Sequence, residues 1–181
     1  KLWGMGIASR DITGDGLPEV FLTSMADQVL MFNRGDGRME KAPYAIGSYA
    51  QHPYSGDDGR PSTGWHAEFG DIDNDGRDDL FIAKGNVEQM ASNAMSDPNN
   101  LLMRQADGSF VEKGGVTGVG TTERSRGAAV VDLNADGRLW VDRTGRGRED
   151  TGCTMTAADA DAALRLIAHH CGVPLTRTAP V

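Results

Sequence analysis

Three stretches of the chain align with one another without a gap: GIASRDITGDGLPEVFL from Gly6, HAEFGDIDNDGRDDLFI from His66 and GAAVVDLNADGRLWVDR from Gly127. Their leading aspartates are Asp11, Asp71 and Asp132, so the period is 60 residues and then 61. A fixed period of this length restricts the fold to a repeated supersecondary unit that buries its apolar face against its neighbours. A weaker pair recurs between these landmarks, QVLMFNRGDGRMEK from Gln28 and NLLMRQADGSFVEK from Asn100. Each is an apolar run, a turn at Gly35-Asp36-Gly37 or Ala106-Asp107-Gly108, and a short second run. The turn lies 25 residues after the leading aspartate in the first repeat (Asp11 to Asp36) and 36 in the second (Asp71 to Asp107), so the second repeat carries an eleven-residue insertion. Each period predicts four short strands: one before the Asp-rich loop, one after it, and the two arms of the later hairpin. Four antiparallel strands per unit make a propeller blade. The expected fold class is all-β, a partial β-propeller of about two and a half repeats over residues 1–139, followed by a divergent tail, 140–181, with one short C-terminal α-helix.

The middle loop runs Asp71-Ile72-Asp73-Asn74-Asp75-Gly76-Arg77-Asp78-Asp79. Oxygen ligands at positions 1, 3 and 5 converge when the chain wraps an ion, Gly at 6 permits the sharp turn, position 7 offers its carbonyl, and a carboxylate at 9 closes the shell. That inventory suits Ca²⁺, a hard cation taking six to eight oxygens. The candidate ligands are Asp71, Asp73, Asp75, Arg77 (carbonyl) and Asp79 in the middle loop; Asp11, Thr13, Asp15, Leu17 (carbonyl) and Glu19 in the first; and Asp132, Asn134, Asp136 and Arg138 (carbonyl) in the third. An EF-hand needs Glu at loop position 12 and flanking helices; here position 12 is Leu22, Ile82 or Arg143, and the flanks read as strands. A single Asp-Gly loop could be an ordinary solvated turn, but three in register argue for metal. Ligand charge tunes affinity, so the middle loop, with four carboxylates, is expected to bind tightest. The third has two carboxylates and Trp140 at position 9, and is expected to bind weakest.

Composition agrees. Asp makes up 19 of the 26 acidic residues, and there are 24 glycines, a balance that favours turns and hard-cation sites over helices. A net charge of −8 argues against nucleic acid as a partner, and no apolar run approaches the ~20 residues of a membrane span. The opening KLWGMGIASR has no apolar core of a signal peptide, which predicts that the chain begins inside a mature domain. Two cysteines, Cys153 and Cys171, make no disulfide framework.

The DxDxDGxxD loop in a sixty-residue repeat, followed by a strand such as DLFIA, resembles the FG-GAP (VCBS-type) repeat of integrin α-chain propellers and of bacterial secreted proteins. More narrowly, GWHAEFGDIDNDGRDDLFIAKGN, DPNNLLMRQADGSFVEK and RSRGAAVVDLNADGRL resemble bacterial members of the cartilage acidic protein family. The resemblance covers about residues 3–139 and implies structural Ca²⁺ in the loops, an extracellular or periplasmic location, and a role in adhesion or recognition of a protein or glycan. After Asp136-Gly137-Arg138-Leu139 the family pattern wants a further Asp and an apolar strand. The chain instead runs Trp140-Val141-Asp142-Arg143-Thr144-Gly145, as though the blade were abandoned mid-strand. Closed propellers have about four to eight blades, so exposed edges are expected to seek partners, further blades among them.

In the tail, Thr156 and Asp159 form a capping-box-like start, and Leu164, Ile167, Ala168 and Cys171 share one helical face, which predicts an amphipathic helix over 157–171. A helix of that length keeps Cys153 from reaching Cys171. His52 and His66 lack a second ligand at metal spacing and read as surface or packing residues, while His169 and His170 beside Cys171 have poor geometry for a thiol nucleophile. Met90 and Met95 in the insertion and the connection 51–64 are candidate binding loops. No catalysis is expected. The alternative is the propeller module of a polysaccharide-degrading enzyme, a lyase or hydrolase, using His52, Arg60 and His66.

Overall fold

The computed structural model describes residues 2–25, 27–49, 62–86, 97–128, 130–133, 136–143, 147–160 and 162. It divides into two compact units, Lys1–Val130 and Val131–Val181. The first holds two four-stranded antiparallel sheets. One is β1 (Gly4–Arg10), β2 (Glu19–Ser24), β3 (Val29–Asn33) and β4 (Met39–Lys41), in that spatial order; the other is β5 (Gly64–Gly70), β6 (Asp79–Lys84), β7 (Asn100–Arg104) and β8 (Phe110–Glu112), also in chain order. The fold is mostly β and consistent with a partial propeller, each sheet being one blade of the expected kind.

The repeat is kept in register. Val20 pairs with Met31 as Leu80 pairs with Leu102, and Leu22 pairs with Val29 as Ile82 pairs with Asn100. The central strands β2 and β6 are rich in branched and aromatic residues that suit a pleated, buried surface. The outer strand β4, Met39-Glu40-Lys41, is exposed throughout and carries the charges that discourage edge pairing. One core joins the two blades: Ala8, Phe21 and Leu30 from the first cluster with Ala67, Phe69, Leu80, Ile82 and Leu102 from the second. Phe21 and Phe69 meet edge to face at 6.5 Å. Each such fully buried side chain contributes about 1.5–3 kcal/mol relative to exposure.

After the outer strand each blade makes one tight helical turn. In the first it is a 3-10 turn, Tyr44–Ile46, and in the second a single α-turn, α1 (Gly114–Thr117). The turns are launched alike, by Ala42 N donating to Leu30 O and Lys113 N to Leu101 O, both 2.8 Å. Both end on a left-handed glycine, Gly47 and Gly118, each with φ 82°.

The second unit contains β9 (Val131–Leu133), β10 (Arg138–Arg143) and β11 (Gly147–Thr154), in the order β11-β10-β9. The expected break at 139/140 falls inside β10, which continues unbroken through Trp140 and Val141 to Arg143. Both are good strand residues, and β11 supplies a partner, pairing Trp140 with Asp150 and Val141 with Glu149. At 157–160 the chain is helical, and its start is a reciprocal capping box: Asp159 N donates to Thr156 Oγ1 (3.1 Å) and Thr156 N to Asp159 Oδ2 (3.3 Å). The remainder of the expected helix, with His169, His170 and Cys171, lies outside the described residues, as do His52, Arg60, Met90, Met95 and nearly all of the 51–64 connection. Cys153 is exposed and not in a disulfide.

Candidate metal centre

The middle loop connects β5 to β6 and is curled by its own side chains. Asp71 accepts from Asp75 N through Oδ1 and from Gly76 N through Oδ2, both at 3.0 Å. Asn74 (φ 60°) and Gly76 (φ 84°) take the left-handed backbone that this curl requires. Asp79, the first residue of β6, is fully buried; its Oδ2 accepts from Ile72 N (3.0 Å) and its Oδ1 from Arg104 N on β7 (2.7 Å). Asp71, Asp73 and Asp79 each present a carboxylate oxygen, and these oxygens lie within 4.8 Å of one another. One ion with oxygen bonds of about 2.3–2.6 Å can bridge that spread. Asp75, the fourth expected ligand, is turned to Arg77, accepting from its amide at 2.9 Å and pairing with its guanidinium.

The first loop, between β1 and β2, repeats the frame. Asp11 Oδ1 accepts from Gly14 N (2.8 Å) and Asp15 N (3.2 Å), and Oδ2 from Gly16 N (2.8 Å). Thr13 Oγ1 lies 3.5 Å from Asp11 Oδ1, and Asp15 accepts from Leu17 N at 2.8 Å. Glu19 is fully buried at the start of β2, and its Oε2 accepts from Ile12 N (3.1 Å) and Thr13 N (3.3 Å). Its other oxygen, Oε1, is buried with no hydrogen-bond partner. A buried carboxylate oxygen without a partner is costly, and a cation in the loop would relieve it. Asp11, Asp15 and Glu19 do not converge as the middle trio does; among the described residues the middle loop alone gathers three such groups.

The third repeat departs from this frame. Leu133 pairs with Leu139, leaving five residues (134–138) between them, where the Arg10–Glu19 and Gly70–Asp79 pairs leave eight (11–18 and 71–78). Asp132, expected as the first ligand, is instead a strand residue opposite Trp140. The acid at position 9 accounts for the difference. Glu19 and Asp79 each hold the amide of loop position 2, Ile12 or Ile72, away from the sheet. Trp140 offers no acceptor there, so the third hairpin zips further. Asn134 lies outside the described residues, and Asp136 is exposed, accepting from Arg138 N at 3.0 Å.

The electrostatics follow from the geometry. Burial raises Asp79 above the ordinary carboxylate range, opposed by the Arg104 and Ile72 amides and reinforced by Asp73 and Asp75. Burial likewise raises Glu19; the Asn33, Thr13 and Ile12 peptides pull against it, the first without reaching hydrogen-bond geometry, and Asp15 adds to it. At Asp11 lost hydration acts upward, but its hydrogen bonds from Gly16, Gly14, Asp15 and Thr13 together hold it below the usual value.

Several contributors carry no motif. The amides of Ile12 and Ile72 act whatever their side chains, and Arg104, 25 residues beyond Asp79, is placed by the β6–β7 register alone. His66 sits 3.2 Å from Glu68 Oε2 on the same face of β5, which suits its expected packing role.

Residues 11–82, from the first ligand of the first loop to the strand beyond the second, match the family model of the FG-GAP-like repeat. No curated protein and no solved structure matches the chain.

Proposed function

We propose that the chain is a Ca²⁺-stabilised propeller segment that serves in extracellular or periplasmic recognition, binding a protein or glycan without catalysis of its own. The convergence of Asp71, Asp73 and Asp79 carries this reading. The donors are all hard oxygens on a Gly-containing loop, which favours Ca²⁺ over transition metals and over the rigid octahedron of Mg²⁺. The orphaned Oε1 of Glu19 supports a second ion in the first loop. A bound ion supplies charge neutralisation between strands. The protein's part is to hold the carboxylates: Asp71 and Asp11 curl the loops, and Asp79 and Glu19 anchor them to the core.

The FG-GAP-like match supports an integrin-like module, and the narrower likeness to cartilage acidic proteins rests on the sequence of three segments, 64–86, 97–113 and 124–139. The apolar face of β1 supports a partner. Ile7 is 68% exposed, whereas Ala67, sixty residues on, is 1% exposed against the first blade. A further blade or a protein ligand would cover Ile7 as the first blade covers Ala67. The recognition reading is tested by incubating the chain in Ca²⁺ with acidic polysaccharides. No turnover is expected, and turnover lost in His66→Ala but kept in Asp71→Ala would overturn the reading in favour of an enzyme.

A further inference from the structure

The two formed loops are joined across the blades by a continuous run of hydrogen bonds. Asp79, ligand position 9 of the middle loop, accepts from the backbone amide of Arg104 at 2.7 Å. The guanidinium of the same residue reaches into the other blade and donates through Nη1 to the carbonyl of Ile12. That carbonyl belongs to the peptide whose N–H, on Thr13, donates to Glu19 Oε2 at 3.3 Å, and Glu19 is ligand position 9 of the first loop. A second link runs beside it: Arg10, next to Asp11, pairs with Asp78, next to Asp79, at 2.9 Å. A cleft of about 350 Å³ lies between the loops, lined by Thr13, Gly14, Gly76 and Arg77 with Arg104 at its wall.

We infer that Ca²⁺ binding at the first and middle loops is positively coupled, with Arg104 as the positioning residue that carries the coupling. The inference rests on the calcium reading above and adds to it a dependence between sites. An ion that draws on Asp79 fixes the end of β7 and so the guanidinium on Ile12. Polarising the Ile12–Thr13 peptide strengthens its N–H bond to Glu19 Oε2 and so fixes the Glu19 carboxylate. Ordering done by one ion need not be repeated for the other, which is the source of positive coupling. The first blade has Asn33 where the second has Arg104, and its side chain turns to Pro18 O instead, so the link is a property of this one interface.

Residue-resolved NMR titration of the full chain with Ca²⁺ separates the sites, because the amides of Gly14 and Gly16 report the first loop and those of Asp75 and Gly76 the middle one. In Asp73→Ala, which removes an exposed ligand of the middle loop, affinity at the first loop should fall about fivefold or more. Arg104→Met keeps the amide that serves Asp79 but removes the guanidinium; in that background Asp73→Ala should leave the first loop unchanged. Reciprocity gives a readout that needs no change at Arg104: Asp11→Asn should weaken the middle loop by the same factor. Equal first-loop affinity in wild type and Asp73→Ala, with Ca²⁺ bound at both loops of the wild type, would overturn the coupling and leave the calcium reading standing. A loss that persists in Arg104→Met would overturn the role of Arg104. Absence of binding at either wild-type loop would overturn both the coupling and the calcium reading.

Discussion

Asp79 and Glu19 are fully buried acids at the head of central strands, where a residue chosen for packing alone would be apolar. Burial raises both carboxyls, so each holds its proton more tightly folded than unfolded. Without metal their contribution is therefore fully present below the unfolded pKa and is lost as pH rises through the raised folded value. Thermal melts in chelator from pH 4 to 7 should show wild type losing more stability than Asp79→Asn, which lacks the titrating group; equal slopes would contradict this. A second buried charge sits at the far end of β6 from the loop. Lys84 and Asp97 are both fully buried with Nζ 3.1 Å from Oδ2, and Asp97 also accepts from Ser62 N at 2.6 Å. Burial lowers the Lys84 pKa while Asp97 acts to restore it. Lys84→Met leaves the carboxylate unpaired in the core and should cost about 3–5 kcal/mol in urea unfolding. Nothing in the sequence marks this pair, because Lys84 and Asp97 meet only when β6 and β7 are side by side.

At the scale of elements, loops and strands were legible where local chemistry decides them and obscure where a partner does. The eight strands of the first two blades follow from the repeat, and the Asp71, Asp73, Asp79 cluster follows from its spacing. The displacement of Asp75 by Arg77 was not legible, since it depends on which rotamer reaches the guanidinium. Nor was the shortened third hairpin anticipated, although Trp140 at position 9 was the signal for it. The repeat also supplies an internal control. Gly47 and Gly118 share φ 82° at corresponding places, but a Cβ on Gly47 would lie 2.3 Å from Phe110 O, whereas nothing lies within 4 Å of one on Gly118. Gly118→Ala should cost only about 1 kcal/mol for the left-handed backbone. Gly47→Ala must also part the turn from β8 and should cost clearly more, measured by denaturant midpoints at constant slope.

For the whole molecule, the proposed Ca²⁺ sites tie net charge to stability. Filling the first and middle loops takes the formal charge from −8 to −8 + 4 = −4, and removes repulsion between carboxylates held a few ångströms apart. An ion bound only by the folded chain stabilises it by about 2.7 kcal/mol at a hundredfold excess over its dissociation constant. For a chain of this size that corresponds to a rise of about 5–10 °C in melting temperature per site. The most direct measurement is a thermal melt of the full chain, first confirmed by elemental analysis to carry Ca²⁺, then repeated in chelator and in chelator followed by Mg²⁺ or Ca²⁺. The expected result is a fall of at least several degrees in chelator, full recovery with Ca²⁺ and poor recovery with Mg²⁺. A melt unchanged by the chelator would contradict the structural role of the ion and leave the Asp loops as ordinary turns.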